Sequence, residues 1–549
     1  MNGAHALMQT LLEAGVDTCF TNPGTSEMHF VAALDDTDMR GILTLFEGVA
    51  SGAADGYGRM ADKPAATLLH LGCGLGNGLA NLHNARKGRV PIVNIIGDHA
   101  TAHVQYDAQL QSDIETVARN VSSWIRSCTD TKMLASDAAA AVAAAKGPPG
   151  QVASLILPAD VSWGEEAESA APHSPVPPPI AAAETIDQVA AVLQSGQKTA
   201  ILLGGRVLRA EGLRMAAQIA EKTGAKLFCE VFPSRLERGA GLPHVERIAY
   251  LAEMAAVQLA GFKNLILMDA KAPVSFFAYP GKKSYLVPEG CTPYELAAPN
   301  EDALQSLAAL VSKLDANAVE PQVQAERRPK LPRGQLSAAK VCQAIGALLP
   351  ERAIISDEAQ TSGVKLPLFT AGAPRHDVLT LTGGAIGQGL PVAVGAAVAS
   401  PDRPVLALVG DGAAMYTIQS LWTMQRENLD VTVIIMNNRS YAILNIELQR
   451  VGAKSIGPKA KDQLDLASPA LDFCALAQGM GVPGRKAETA EDFNAALEWA
   501  LAEKGPHLID AIVPTDYKGL RLKALPFMLA SLDKIPNSVA KKIKKALAP

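Results

Sequence analysis

Two short polar groups follow apolar runs, and their residue types suit one kind of chemistry. The run VLALV (405–409) leads into Gly410-Asp411-Gly412, and the run VTVIIM (431–436) leads into Asn437-Asn438. Between them Ile418, Leu421, Trp422 and Gln425 recur at helical spacing, so the stretch reads as one βαβ unit with Asp411 and Asn438 at one rim of a sheet. Glycines there let the backbone approach a bound phosphate closely. An aspartate and an amide oxygen, completed by a backbone carbonyl, phosphate oxygens and water, make an octahedral oxygen site suited to Mg²⁺. Asp-Gly alone is a tight turn and Asn-Asn a strand-end turn. Both strand ends and the helix between them together favour a ligand.

Other candidates occupy similar places. Glu47 lies in LFEGVASGAADGYGRM (45–60); a glutamate early in a helix ordinarily just complements the helix dipole. Ala50, Gly52, Ala53, Ala54, Gly56 and Gly58 make this helix small-sided, able to pack closely on another backbone. His70 follows an apolar run, as either a core histidine or a reactive one. Gly383-Gly384-Ala385-Ile386-Gly387 reads as a strand-to-helix turn. Thr361 and Ser362 follow the run AIISDE, where hydroxyls could meet a bound phosphate. Tyr441 is either a further phosphate contact or a core aromatic. Ile443 and Leu444 read equally as an apolar pocket wall or as core. His99 and His103 could form an i,i+4 metal pair on a helix, but no third ligand is in view.

The elements that must position these residues alternate. The runs VDTCFTN, AATLLHL and VPIVNIIGD fall in a block near 1–164, TAILLGG, AKLFCEV and NLILMDA in 185–314, and RAIISDE, PVLALVGDG and VTVIIMNN in 336–520. Short apolar runs separated by helical stretches indicate βαβ units and buried parallel sheets, so three doubly wound α/β domains are expected. Pro-rich segments at 165–184 and 315–335 separate the blocks, and a tail occupies 521–549. Lys541, Lys542, Lys544 and Lys545 suggest a short amphipathic helix there with a solvated or subunit-facing side.

The net charge of −5 over 549 residues argues against a protein built to grip nucleic acid or anionic lipid. Seven scattered cysteines make neither a disulfide framework nor a zinc site. With no signal-peptide pattern and no membrane-length apolar run, a cytoplasmic protein is expected.

The order Gly-Asp-Gly, 24 residues, Asn-Asn resembles the thiamine-diphosphate-binding motif of the decarboxylase and acetolactate-synthase superfamily. The resemblance extends along the chain as pyrimidine, middle and diphosphate domains. It implies Mg²⁺ ligation by Asp411, the Asn438 side chain and the Ser440 carbonyl, with Gly412 and Ala413 beside the diphosphate. It implies that Gly384 offers a carbonyl to the aminopyrimidine and that Ile386 props the cofactor. Glu47 then becomes the carboxylate that hydrogen-bonds the pyrimidine N1′. The first block looks most like benzoylformate decarboxylase, through Asn22-Pro23-Gly24-Thr25-Ser26-Glu27 and the stretch LHLGCGLGN (69–77). By that resemblance His70 is a proton-transfer group, and Thr25, with Ser26 beside it, contacts substrate.

Departures from the family pattern bear on the reaction. Phe276 and Phe277 stand where the decarboxylase's second histidine is expected, and Gln105-Tyr106 where pyruvate decarboxylases carry a histidine pair. Glu447 occupies the position of the specificity tryptophan of acetolactate synthases, and Gln109-Leu110 that of their Phe-Gln pair. GGRVLRAEG (204–212) could be the remnant of a nucleotide-binding turn, without convincing flavin contacts, so FAD stays open but unsupported. The expectation is a thiamine-diphosphate- and Mg²⁺-dependent decarboxylase of a 2-oxo acid. Release of an aldehyde or ligation to a second carbonyl are both open. Acetolactate synthase, a flavin-dependent oxidase and a non-catalytic homologue are the rivals. The family places its sites between subunits, so a homodimer or homotetramer is implied.

Overall fold

All nine apolar runs contain strands, and nine further strands complete three sheets. The computed structural model describes residues 1–451, 457–515, 528–529, 531–532 and 535–547. The first sheet contains β1 (Thr18–Asn22), β2 (Arg40–Leu43), β3 (Ala65–Leu69), β4 (Ile92–Asp98), β5 (Trp124–Ser127) and β6 (Val152–Pro158). Its order is β2-β1-β3-β4-β6-β5, parallel throughout. In the central region come β7 (Thr199–Leu203), β8 (Lys226–Cys229), β9 (Leu236–Arg238), β10 (Glu246–Arg247), β11 (Asn264–Met268) and β12 (Thr292–Ala297). All but β9 form a parallel sheet in the order β10-β8-β7-β11-β12. The third sheet takes β13 (Ile354–Glu358), β14 (His376–Thr380), β15 (Val405–Gly410), β16 (Val431–Asn437), β17 (Gly484–Ala487) and β18 (His507–Ile512). Its order is β17-β18-β16-β15-β13-β14-β9.

The architecture is therefore three parallel α/β domains, with one departure. Strand β9 lies in the central stretch of sequence but pairs antiparallel with β14 at the edge of the third sheet. A short antiparallel strand there covers amides that an open parallel edge would leave unpaired. Residues 165–182 carry no helix or strand, and 316–336 only a single bridge from Gln335 to Thr489.

Five helices position the residues of interest: α1 (Glu47–Ala61), α2 (Leu71–Gly88), α3 (Gly389–Ala399), α4 (Ser420–Arg426) and α5 (Ala442–Arg450). The small side chains of α1 let it press against α3. A Cβ on Gly56 would fall 2.1 Å from the Val392 carbonyl oxygen, and one on Gly395 1.8 Å from that of Ala53. The contact is sealed by the fully buried pair Asp55–Arg59; Arg59 also donates to the Thr380 carbonyl at 2.7 Å, and Gln388 donates to Asp55 at 2.7 Å. One apolar cluster consequently runs from Phe20 and Ile96 in the first sheet, through both helices, to Val405 and Val433 in the third. The central domain keeps a core of its own around Ile201 and Ile266.

Helix 537–547 forms in the tail, with Ala540 buried beside Met254, Val257 and Ile446 and Lys542 exposed. The side chains of Lys541, Lys544 and Lys545 lie outside the described residues, as do 521–527. Among the described residues the seven cysteines are free and no helix is long and apolar enough to cross a membrane.

Candidate active site

At the rim of the third sheet, β15 and β16 end side by side and bring Asp411, Asn438 and Ser440 together. The Asp411 carboxylate accepts from the Gly412 N–H at 2.9 Å and from the Arg439 N–H at 2.6 Å. Asn438 Oδ1 accepts from the Ser440 N–H at 2.9 Å, and the Ser440 carbonyl accepts from the Ala442 N–H at 2.8 Å. Each oxygen thus keeps a second lone pair. Burial pushes the Asp411 carboxyl up to about 6, against its backbone donors, and no cation pairs with it among the described residues. A buried carboxylate, a primary amide oxygen and a peptide oxygen are the hard donors that Mg²⁺ takes, and a divalent cation would hold Asp411 ionised. The residues fit the ion.

The surroundings fit a diphosphate. Arg439, at φ +56°, turns the chain sharply after β16. Tyr441 lies over Gly412, where a Cβ would meet its ring at 2.3 Å. Gly412 and Ala413 are buried in the first turn that follows β15. Thr361 and Ser362 stand on a 3₁₀ turn after β13, and Asn438 Nδ2 lies 3.5 Å from Ser362 Oγ.

The loop between β14 and α3 is held from beneath by a residue that sequence reasoning missed. Glu358, fully buried, accepts from the N–H groups of Gly387 at 2.8 Å, Gln388 at 3.2 Å and Gly389 at 2.7 Å. Burial drives this carboxyl up to about 7 despite the three donors. Gly384 has φ +78°, a left-handed conformation that favours glycine, and Phe276 packs onto it where a Cβ would lie 2.3 Å from the ring. Ile386, partly buried, leans on the shared apolar cluster.

Glu47 opens α1 and is 5% exposed. Its carboxylate accepts from Asn77 Nδ2 of α2 at 3.0 Å, and no cation pairs with it among the described residues. Ser51 ties the same turn to α2, donating to the Glu47 carbonyl at 2.9 Å and the Gly78 carbonyl at 3.0 Å.

His70 caps α2, and its Nδ1 lies 2.8 Å from Oε2 of the fully buried Glu27. The same oxygen accepts from the Gly24 N–H at 2.6 Å. A carboxylate on Nδ1 leaves Nε2 as the free acceptor of the neutral ring. Burial raises the Glu27 carboxyl, offset by the Gly24 N–H and by His70. Its Oε1 is buried without a partner, in space left by the absent side chain of Gly97. Glu27 belongs to the turn singled out in the sequence, yet nothing local marks it as the partner of a histidine 43 residues away. Thr25 is exposed and Ser26 partly so, on the 3₁₀ turn after Gly24, which packs against the His70 ring.

Among the pocket-wall candidates, Ile443 packs partly buried beside Met254 and Ile446, and Leu444 is exposed. Phe276 belongs to an aromatic group with Phe232, Tyr250 and Phe277, at centroid separations of 6.0, 5.4 and 4.9 Å. Glu447 accepts from the Tyr279 hydroxyl at 2.8 Å and pairs with Arg450 at 3.0 Å. His99 and His103 have ring centroids 5.3 Å apart at a tilt of 50°, but in the coil and turn after β4 rather than on the helix considered above. Among the described residues no cluster of three His, Cys, Asp or Glu could hold a metal.

The nucleotide-turn candidate at 204–212 is filled from within. A Cβ on Gly205 would fall 1.7 Å from Asp269 Oδ2, and one on Gly204 2.9 Å from Glu230 Oε2. Arg89 of the first domain pairs with the Asp269 carboxylate and donates to its carbonyl at 2.8 Å.

Known proteins match this chain along most of its length. Residues 1–119 match the family described as thiamine pyrophosphate enzyme, N-terminal TPP binding domain, and residues 360–511 match its C-terminal TPP binding domain. The chain is 58% identical to the "Putative acetolactate synthase large subunit IlvX" of Mycobacterium tuberculosis, over 94% of this chain and 99% of that one. It is 29% identical to a benzoylformate decarboxylase of Pseudomonas aeruginosa, over 93% and 98%. Among solved structures it resembles a thiamine diphosphate-dependent 4-hydroxybenzoylformate decarboxylase of Rhodococcus jostii, with a TM-score of 0.82 at 25% identity, covering 94% of this chain and all of that one.

Proposed function

Because the chain belongs to the thiamine pyrophosphate enzyme family, we propose that it uses thiamine diphosphate and Mg²⁺ to remove CO₂ from a 2-oxo acid. The observation that carries the reading is that the buried, cation-free Glu47 and the oxygen set Asp411–Asn438–Ser440 occur in one chain. A non-catalytic homologue would have no use for both. When bound, thiamine diphosphate supplies a nucleophilic carbon and an electron sink for cleavage of the carbon–carbon bond.

The chain's own residues do the rest. Asp411, Asn438 and Ser440 hold Mg²⁺, and Gly412, Ala413, Thr361, Ser362 and Tyr441 border the diphosphate. The Gly384 carbonyl and Ile386 receive the aminopyrimidine, with Glu47 as its proton-holding carboxylate. His70, fixed through Nδ1 by Glu27, carries a proton on Nε2 at the substrate, and Thr25 and Ser26 orient it. The aromatic group around Phe276, with the exposed Leu444 three residues after Tyr441, favours a substrate with an apolar or aryl side chain. With Phe276 in place of a second histidine, one protonation needs another donor, or the product forms on a second carbonyl. A homodimer is the smallest active unit in this reading.

The name carried by the relative at 58% identity favours a second reading, condensation of pyruvate to acetolactate. Against it, Glu447 is engaged with Tyr279 and Arg450 at the position of the specificity tryptophan. The test is CO₂ release by the loaded enzyme across pyruvate, branched-chain and aryl 2-oxo acids. Release confined to aryl or branched substrates is expected. Acetolactate from pyruvate alone would replace the first reading by the second, and silence across the panel with cofactor bound would refute both.

A further inference from the structure

The loop carrying Gly384 and Ile386 is gripped from above by two side-chain amides of α2. Asn84 is fully buried; its Oδ1 accepts from the Ala385 N–H at 3.1 Å and its Nδ2 donates to the Ala385 carbonyl at 2.8 Å. Both backbone groups of the residue between Gly384 and Ile386 are thereby bound by one side chain, as a neighbouring strand would bind them. The clamp continues inward. Asn84 Nδ2 also donates to Asn81 Oδ1 at 3.0 Å, and Asn81 Nδ2 donates to the Gly48 carbonyl at 2.8 Å and the Gly387 carbonyl at 3.2 Å. His83 Nε2 lies 3.2 Å from the Gly383 carbonyl, and Thr382 Oγ1 donates to the Asn84 carbonyl at 2.7 Å. Two amides therefore join the first turn of the Glu47 helix to the backbone on either side of Ile386. An amide is suited to this because it carries a donor and an acceptor side by side and no charge to desolvate.

We infer that Asn84, supported by Asn81, is a positioning residue that holds the peptide 384–386 against α2, so that the cofactor loop is shaped before cofactor arrives. The inference rests on the proposed thiamine-diphosphate chemistry of this site. It assigns Asn84 no contact with substrate or cofactor; its effect passes through the loop. Replacing it frees the loop to sample other conformations, and cofactor binding must then order what was already ordered.

The test compares Asn84→Ala with Asn94→Ala. Asn94 is an equally buried asparagine of the same domain, bonded to Thr67 and Ser154 in the first sheet, away from the loop. Calorimetry with thiamine diphosphate and Mg²⁺ should show affinity weakened about tenfold in Asn84→Ala, the loss of one or two net hydrogen bonds. The near-UV circular dichroism of the bound cofactor should change, and kcat should fall about tenfold or more while substrate KM at saturating cofactor stays within about threefold. Asn94→Ala should lose comparable thermal stability and keep wild-type affinity, spectrum and kcat. Should Asn84→Ala fail to fold, Asn84→Asp is isosteric; it keeps the acceptor for the Ala385 N–H but turns an oxygen toward the Ala385 carbonyl, and the same changes are expected. Asn84 variants that match Asn94→Ala in affinity, spectrum and kcat overturn the inference alone. A wild-type protein that binds no thiamine diphosphate overturns the underlying reading as well.

Discussion

The central and C-terminal sheets are built alike, from parallel strands whose carboxyl ends meet glycine-rich turns, yet their rims differ in what fills them. At the C-terminal rim, Gly412 and the turn at Arg439 leave a carboxylate, an amide and a carbonyl each with a free lone pair. At the central rim, the approach that Gly204 and Gly205 permit is taken by Asp269 and Glu230, and Arg89 neutralises Asp269 from the neighbouring domain. Burial keeps Asp269 above the usual carboxylate range even beside that guanidinium. A nucleotide phosphate would meet acids already occupying the turn. The same strand-end geometry is therefore a ligand site in the proposed reading of one sheet and a domain joint in the other, and the side chains at the strand ends make the difference.

The largest effect should come from separating chemistry from binding at Glu47 of the first domain. Glu47→Gln should lower kcat by about three orders of magnitude, the middle of the range for loss of a general acid–base group, with thiamine diphosphate affinity nearly unchanged. Single-turnover kinetics beside calorimetry would show it, and an unimpaired kcat would remove Glu47 from its role. Next, paired variants set the rims against each other. Asp411→Asn should weaken Mg²⁺-dependent cofactor binding by about 100-fold, whereas Asp269→Asn should leave it within about twofold. Equal losses would erase the distinction.

A smaller effect concerns pH. Glu358 sits at about 7 in the folded protein against an ordinary 4.5, so the folded state keeps a proton that the unfolded chain releases. Its contribution to stability is then fully present below pH 4.5 and is lost as pH rises through about 7, by up to about 3 kcal/mol. Denaturant titrations between pH 5 and 8 should show a flatter dependence in Glu358→Gln than in wild type. Smallest of all, the double variant Glu230→Gln/Asp269→Asn should gain little affinity for adenine nucleotides and leave turnover within about twofold, since Arg89 loses its partner without a phosphate cradle appearing. Tight nucleotide binding by that variant, or a flavin spectrum in the wild type, would show that the central rim is a masked site.

Much of this was legible residue by residue. Asp411 and Asn438 stand out because a βαβ unit must place both at one rim, and local patterning reveals such a unit. The small-sided helix after Glu47 announced close packing, and the structure shows it against α3. Glu358 and Glu27 were not legible in the same way. Each is an ordinary glutamate whose role depends on backbone N–H groups or a histidine tens of residues away. The helix considered for His99 and His103 does not form: the chain leaves β4 as coil and turn over residues 99–103.

What the sequence determined by itself was the repeated strand–helix pattern and the chemistry present at particular strand ends, because both follow from local periodicity and side-chain type. Only the tertiary structure decided which glycine turns stay open and which are filled, that Glu27 orients His70, and that Asn81 and Asn84 join the Glu47 helix to the loop 383–387. Those outcomes depend on distances between segments up to about 300 residues apart in the chain, set by the packing of α1 and α2 against α3 and its loop.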